Sequence, residues 1–243
     1  MTHADYRDRL EWYDSLFDSA PIRVEGSVQY TMHPVFRGVP ERIHNLVPDA
    51  KLIYMVRDPV ERAISQYIER VAQGYESRTA QEALADPDES RNVYLAASRY
   101  ATQVRRYLEC FPRSALLVLE QAELRDDPES TLVRMFRFLG VDDRFSPSER
   151  HVEVRRSSER RKLGPVVGRL RRTRLADKAL RLLWYLPPSS AIRIMGALKR
   201  PLSSPIERPV LEPALREEML ARFEPEANWL REDTGKEFES WSC

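Results

Sequence analysis

The residues best suited to do chemistry in this chain stand in one run, Lys51-Leu-Ile-Tyr-Met-Val-Arg57-Asp-Pro-Val-Glu-Arg62-Ala-Ile-Ser65-Gln-Tyr67. Its first half is a compact apolar segment of strand length and its second half has helical spacing, so Arg57 falls at the carboxyl end of a strand. In an open parallel sheet, ligands bind outside those ends. Ser65 comes two helical turns after Asp58 and shares its face. A guanidinium reaching back from Arg57 and the Ser65 hydroxyl can therefore converge on one phosphate. Arginine suits that task because its planar fork donates two parallel charge-assisted hydrogen bonds. The same spacing also allows a plainer reading: a capped helix start, with Arg57 paired to an acid and Ser65 packed on the helix.

The elements that must position these groups are legible on either side. Lys51–Val56 reads as a strand buried in a parallel sheet, where both faces are covered and the apolar run is continuous. Asp58 can cap the next helix, Pro59 suits its first position and Glu61 completes a capping box; the helix then runs through Ile64, Tyr67, Ile68 and Val71 to Gly74. Upstream, residues 5–18 read as an amphipathic helix, Ile22–Val24 as extended, and Pro40–Val47 as a short helix. Downstream, Glu76–Arg91 is a polar, acidic loop with a short helix at Ala80–Leu84, of the kind that shapes substrate sites. Val93–Phe111 has the spacing of one helix, stopped by Pro112.

Ala115–Leu119 is a second buried-type strand. Asp127-Pro128 then opens a helix through Leu132, Met135 and Phe136 to Gly140. Strand–helix–strand–helix order predicts an α/β fold, a parallel sheet with helices on both faces. Beyond Val141 the pattern predicts helices and no further strand, closing with Leu215–Phe223 and Ala227–Glu232 before Gly235. We read residues 1–243 as a single domain, with 1–141 its α/β part and 142–243 its mainly helical, basic part.

Length and composition agree with one large soluble domain: 243 residues, 42% hydrophobic and 32% charged. The near-neutral net charge of +1 hides an asymmetry. Between Arg155 and Arg181, eleven Lys or Arg face only Glu159 and Asp177, a local excess of +9 that is either a solvated basic surface or a site for anions. The amphipathic stretch Leu175–Lys199 offers a peripheral membrane contact, or packs its Trp184 and Tyr185 into the core. No apolar window long enough for a membrane span occurs, and Met1–Asp18 is not built like a signal peptide. Two cysteines make no disulfide framework, which places the chain in a reducing cytoplasm. The four histidines show no metal-ligand spacing, so no metal is expected. Nothing in the sequence calls for a nucleic-acid partner.

The Arg57–Tyr67 run resembles the 3′-phosphate-binding motif of sulfotransferases, in which a strand ending in Arg-Asp-Pro or Arg-Asn-Pro leads to a helix carrying Ser-x-Tyr. Further similarities follow in order: Ser98-Arg-Tyr100, Tyr107-Leu, Phe111-Pro112, LLVLE, the helix ending FLGV, then Phe223-Glu-Pro-Glu, Leu230, Thr234-Gly235 and Trp241. Residues 11–30 resemble the segment before that motif in the branch related to carbohydrate sulfotransferases. Only 142–210 aligns poorly.

The resemblance implies a three-layer α/β/α, P-loop-NTPase-like sulfotransferase fold and a donor substrate, 3′-phosphoadenosine 5′-phosphosulfate. It implies a hydroxyl or amine of a carbohydrate or lipid-linked molecule as acceptor. Arg57 and Ser65 would hold the donor's 3′-phosphate, with Tyr100 and the basic group Arg160-Arg161-Lys162 on the nucleotide rim or, alternatively, in packing and on solvated surface. One departure stands out. The family's phosphate-cradling loop, rich in Lys, Gly, Ser and Thr, is missing, since the eight glycines include no Gly-x-x-x-x-Gly followed by Lys. The family's usual glutamate base is missing with it, and Glu25-Gly26-Ser27 replaces Glu-Lys-Ser. These departures predict a chain truncated at its N-terminus. They have three explanations: a start upstream of Met1, an inactive fragment, or a partner chain that supplies the loop. The function readings are a sulfotransferase, an inactive module that keeps the 3′-phosphate half-site or merely the fold, and, more distantly, a nucleotide kinase, whose Walker loop is absent here.

Overall fold

A computed structural model of the chain describes residues 10–17, 22–88, 91–144, 160–163 and 203–243. The expectations for the basic segment 155–181, apart from 160–163, and for 175–199 lie outside the described residues. Two compact units are distinguished, Met1–Tyr30 and Thr31–Cys243. In the first, helix α1 spans Leu10–Asp14, and the helix expected over 5–18 stops there, residues 15–17 being turns. Tyr13 meets Phe17 edge-on at 5.1 Å and Arg23 pairs with Asp14.

The second unit carries helix α2 (Val39–Leu46) and then strand β1 (Leu52–Val56). Helix α3 (Pro59–Gln73) follows, begun by the Asp58 cap and ended by Gly74 at φ 77°, a left-handed turn that favours glycine. Its apolar stripe, Val60, Ala63, Ile64, Tyr67 and Ile68, is buried against helix α4 (Ala80–Ala85), helix α5 (Val93–Ser98) and Leu215, Met219 and Phe223.

The expected single helix over 93–111 is two, α5 and helix α6 (Tyr100–Leu108), because Arg99 leaves helical geometry at φ −83°, ψ 75°. Strand β2 (Leu116–Glu120) pairs in parallel with β1, Leu52 opposite Leu116 and Val56 opposite Glu120. Helices α7 (Gln121–Asp126) and α8 (Pro128–Leu139) come next, and α8 packs on β2.

Beyond Val141 the structure corrects the sequence reading twice. Strands β3 (Arg161–Leu163) and β4 (Ser203–Pro205) form a short antiparallel pair, with β3 against α3. Strands of three residues are too short for a periodic signal. The two closing helices are one, α9 (Pro213–Thr234), which runs through Pro225. Packing outweighs the lost hydrogen bond there. The first half of α9 buries Leu215, Met219 and Phe223 in one apolar cluster, and the second half buries Ala227 and Leu230 in another with Val56, Tyr100, Val104, Leu116, Val118, Phe238 and Trp241. No described helix is long and apolar enough to cross a membrane.

The loop after α3 is tied down by Glu76. One carboxylate oxygen accepts from the Ser77 and Arg78 N–H groups at 2.9 and 3.0 Å; the other accepts from the Arg78 guanidinium and the Tyr94 hydroxyl, both at 2.8 Å. Arg78, first, and these N–H and hydroxyl donors hold the Glu76 carboxyl at a pKa of about 2, against an ordinary 4.5. A depressed carboxylate stabilises the fold above its unfolded pKa, and this contribution is lost as pH falls from about 4.5 towards 2. Urea unfolding at pH 7 and pH 3 should therefore differ by about 2 kcal/mol more for the parent than for Glu76→Gln. Parallel pH profiles for the two proteins would remove Glu76 from that role.

Candidate phosphate-binding site

Because β1 and β2 are parallel, their carboxyl ends, Val56-Arg57 and Glu120, lie at the same edge of the sheet. The Asp58 carboxylate caps α3, accepting the Glu61 N–H at 2.8 Å through Oδ1. The expected capping box is not closed by the Glu61 side chain, which pairs instead with Arg208 and lies 4.0 Å from Arg216. A second charge-assisted partner outweighs a second cap.

Arg57 is half-buried, and its guanidinium donates to the Glu61 carbonyl. Helical geometry pairs that oxygen with the N–H of Ser65, so the guanidinium lies along the turn that carries Ser65. The two residues foreseen as a clasp are thus brought to one stretch of α3. Burial lowers the Arg57 pKa, and Arg62 and Arg208 push the same way, against Tyr100 and Glu61. Cations outnumber carboxylates around the guanidinium, Arg62 and Arg208 against Glu61, a setting that favours an added anion.

Tyr100 has a different place from the rim expected for it. It is 1% exposed, its ring met edge-on by Tyr54 (5.7 Å) and at a tilt by Trp241 (5.4 Å), which leaves no face for a base. Its hydroxyl donates to the Arg57 carbonyl at 2.9 Å and accepts the Arg57 N–H at 3.3 Å. It therefore fixes the main chain that carries the guanidinium. Arg161 lies in β3, its guanidinium donating to the Ser203 hydroxyl at 2.9 Å and to the Ser203 carbonyl. Its neighbour Arg160 pairs with Glu69 of α3, one helical turn beyond Ser65. Lys162 lies in the same strand. Sequence reasoning missed Arg208 and the serines of the segment Phe238–Ser242, and gave no role to Arg62 and Trp241, which it named. Arg208 stands in an irregular Ile206-Glu-Arg-Pro209 stretch, where no periodicity points to it, and only the fold lays that stretch beside Glu61.

Residues 15–146 match the family model described as Sulfotransferase family. Heparan sulfate glucosamine 3-O-sulfotransferase 6 of Homo sapiens is 31% identical over 144 residues, covering 56% of this chain and 41% of the relative. Heparan sulfate glucosamine 3-O-sulfotransferase 3A1 of Mus musculus is 32% identical over the same length, covering 36% of that protein. The bifunctional heparan sulfate N-deacetylase/N-sulfotransferase 4 of Mus musculus is 29% identical over 160 residues, or 60% of this chain and 18% of that one. The matched part spans less than half the length of these relatives. Among solved structures, a sulfotransferase from Alicyclobacillus acidocaldarius superposes with a TM-score of 0.59 at 26% identity, covering 94% of this chain and 72% of that one.

Proposed function

This chain belongs to the sulfotransferase family, and from that premise we propose that it binds 3′-phosphoadenosine 5′-phosphosulfate and directs the sulfuryl group to a hydroxyl or amine of a carbohydrate. The observation that carries the reading is the Arg57 guanidinium at a parallel strand's carboxyl end, laid along the Ser65 turn and crowded by further arginines. A ribose 3′-phosphate suits this setting in charge: Arg57 would supply a fork of donors, Ser65 a hydroxyl, and Arg62 and Arg208 a positive field. The donor brings the activated phosphosulfate bond. The chain's described residues hold the far end of the nucleotide, so that binding energy remote from the reacting sulfur can orient it.

The carbohydrate acceptor is supported by the heparan sulfate sulfotransferases among the relatives. The competing reading is a module that binds the nucleotide without transferring. One experiment separates the two. The chain is incubated with sulfur-35-labelled donor and a desulfated glucosamine-containing polysaccharide, while adenosine 3′,5′-bisphosphate binding is followed by calorimetry. Label in the polysaccharide supports the enzyme. Binding without label supports the module, and absence of both removes the nucleotide reading.

A further inference from the structure

Resting on that nucleotide reading, we propose that Ser240, Trp241 and Ser242 form a latch that positions Arg57, making the C-terminal segment a working part of the phosphate site. Three consecutive residues make three different holds on it. The Ser240 hydroxyl donates to the Glu120 carboxylate at the end of β2. Trp241 is 8% exposed, and its ring lies 5.4 Å from that of Tyr100 and 4.4 Å from that of Phe238. Ser242 donates both its N–H, at 2.6 Å, and its hydroxyl, at 2.5 Å, to Oδ2 of Asp58. The segment thus spans the carboxyl ends of both parallel strands, the edge at which such sheets bind ligands.

The holds converge on two residues. The Arg57 main chain is gripped at N–H and C=O by the Tyr100 hydroxyl, and Trp241 lies against the ring that bears it. The Asp58 carboxylate is shared between Oδ1, which fixes the first turn of α3, and Oδ2, which Ser242 fixes. Asp58 is 7% exposed and makes no ion pair among the described residues, so its charge is satisfied by neutral donors, two of them from Ser242. Local backbone supports the assignment. Phe238 takes φ 52°, a left-handed conformation that side-chain-bearing residues seldom adopt, and the Trp241 N–H closes the turn onto its carbonyl at 3.0 Å. Such strain persists where surrounding contacts over-determine it, as they do here.

The test uses the whole chain, adenosine 3′,5′-bisphosphate as probe, calorimetric affinity and thermal unfolding. Ser242→Ala removes one of the two donors to Oδ2 and should weaken binding about fivefold while lowering the melting temperature by a few degrees, as expected for a hydrogen bond lost from a buried carboxylate. Ser242→Thr keeps the hydroxyl and should restore it. In an Arg57→Ala background, Ser242→Ala should have no further effect, because the latch acts through Arg57. Ser242→Ala binding as tightly as the parent, or weakening binding equally in both backgrounds, would overturn the latch while leaving the nucleotide site standing. Arg57→Ala binding like the parent, or no binding by the intact chain, would overturn the nucleotide site and the latch with it.

Discussion

Replacing Arg57 with alanine should weaken adenosine 3′,5′-bisphosphate binding about a hundredfold, as expected for two charge-assisted hydrogen bonds lost from a half-buried site. Stability should not fall with affinity. In the free chain the guanidinium is half-buried beside Arg62 and Arg208, and its described hydrogen bond goes to the Glu61 carbonyl. Removing a cation that burial and like charges already disfavour costs the fold little. The melting temperature of Arg57→Ala should therefore match or exceed the parent's, the usual relation between a binding residue and stability. Arg57→Lys keeps the charge but loses the fork, and should fall between the two at about a tenfold loss. Raising salt should weaken the parent more than Arg57→Ala, since part of the affinity is a field effect. An Arg57→Ala protein that loses stability along with affinity would mean that Arg57 is a packing residue instead.

The places of Arg57 at a strand's end and of Ser65 two turns into the next helix were readable because everything that sets them is local. A buried-type strand, an Asp-Pro helix start and a two-turn spacing fix both side chains within nine residues, and each signal has its own physical cause. The parallel β1–β2 pair was readable for the same reason: LIYMV and LLVLE are continuous apolar runs of strand length. What was hidden depends on contacts between distant segments. Tyr100 reads as core or as rim with equal ease, and only the fold shows its hydroxyl 43 residues away on the Arg57 main chain. Ser242 and Arg208 lie 184 and 147 positions from Asp58 and Glu61, their respective partners, in stretches without periodicity. The helix break at Arg99 was hidden because the residues on either side keep helical spacing. Pro225 misled in the opposite sense, since its local signal says stop while the two apolar clusters along α9 hold the helix together.

Glu226, next to that proline, is where stability and site geometry meet, and Glu226→Ala should lower stability by about 3 kcal/mol, roughly 6–12 °C in melting temperature. Its carboxylate is nearly buried and spans from α9 to the start of α6. Oε1 accepts the Arg99 guanidinium at 3.0 Å and the Thr102 hydroxyl at 2.7 Å, while Oε2 accepts the Thr102 N–H at 2.7 Å. Arg99 gives α6 no side-chain cap of its own, so Glu226 provides that cap from another helix. Alanine would strip the cap, leave Arg99 without this partner and open space beside Ala227. Glu226→Gln keeps an acceptor for the Thr102 N–H and loses the charge, and should cost about half as much. Because α6 begins at Tyr100, loosening its first turn also loosens the hydroxyl that fixes Arg57. Below the new melting temperature, Glu226→Ala should therefore bind adenosine 3′,5′-bisphosphate a few-fold more weakly than the parent, with the deficit absent in an Arg57→Ala background. Unchanged stability in Glu226→Ala would show that the first turn of α6 holds without its borrowed cap. Unchanged affinity beside lost stability would show that the turn can fray without moving Arg57.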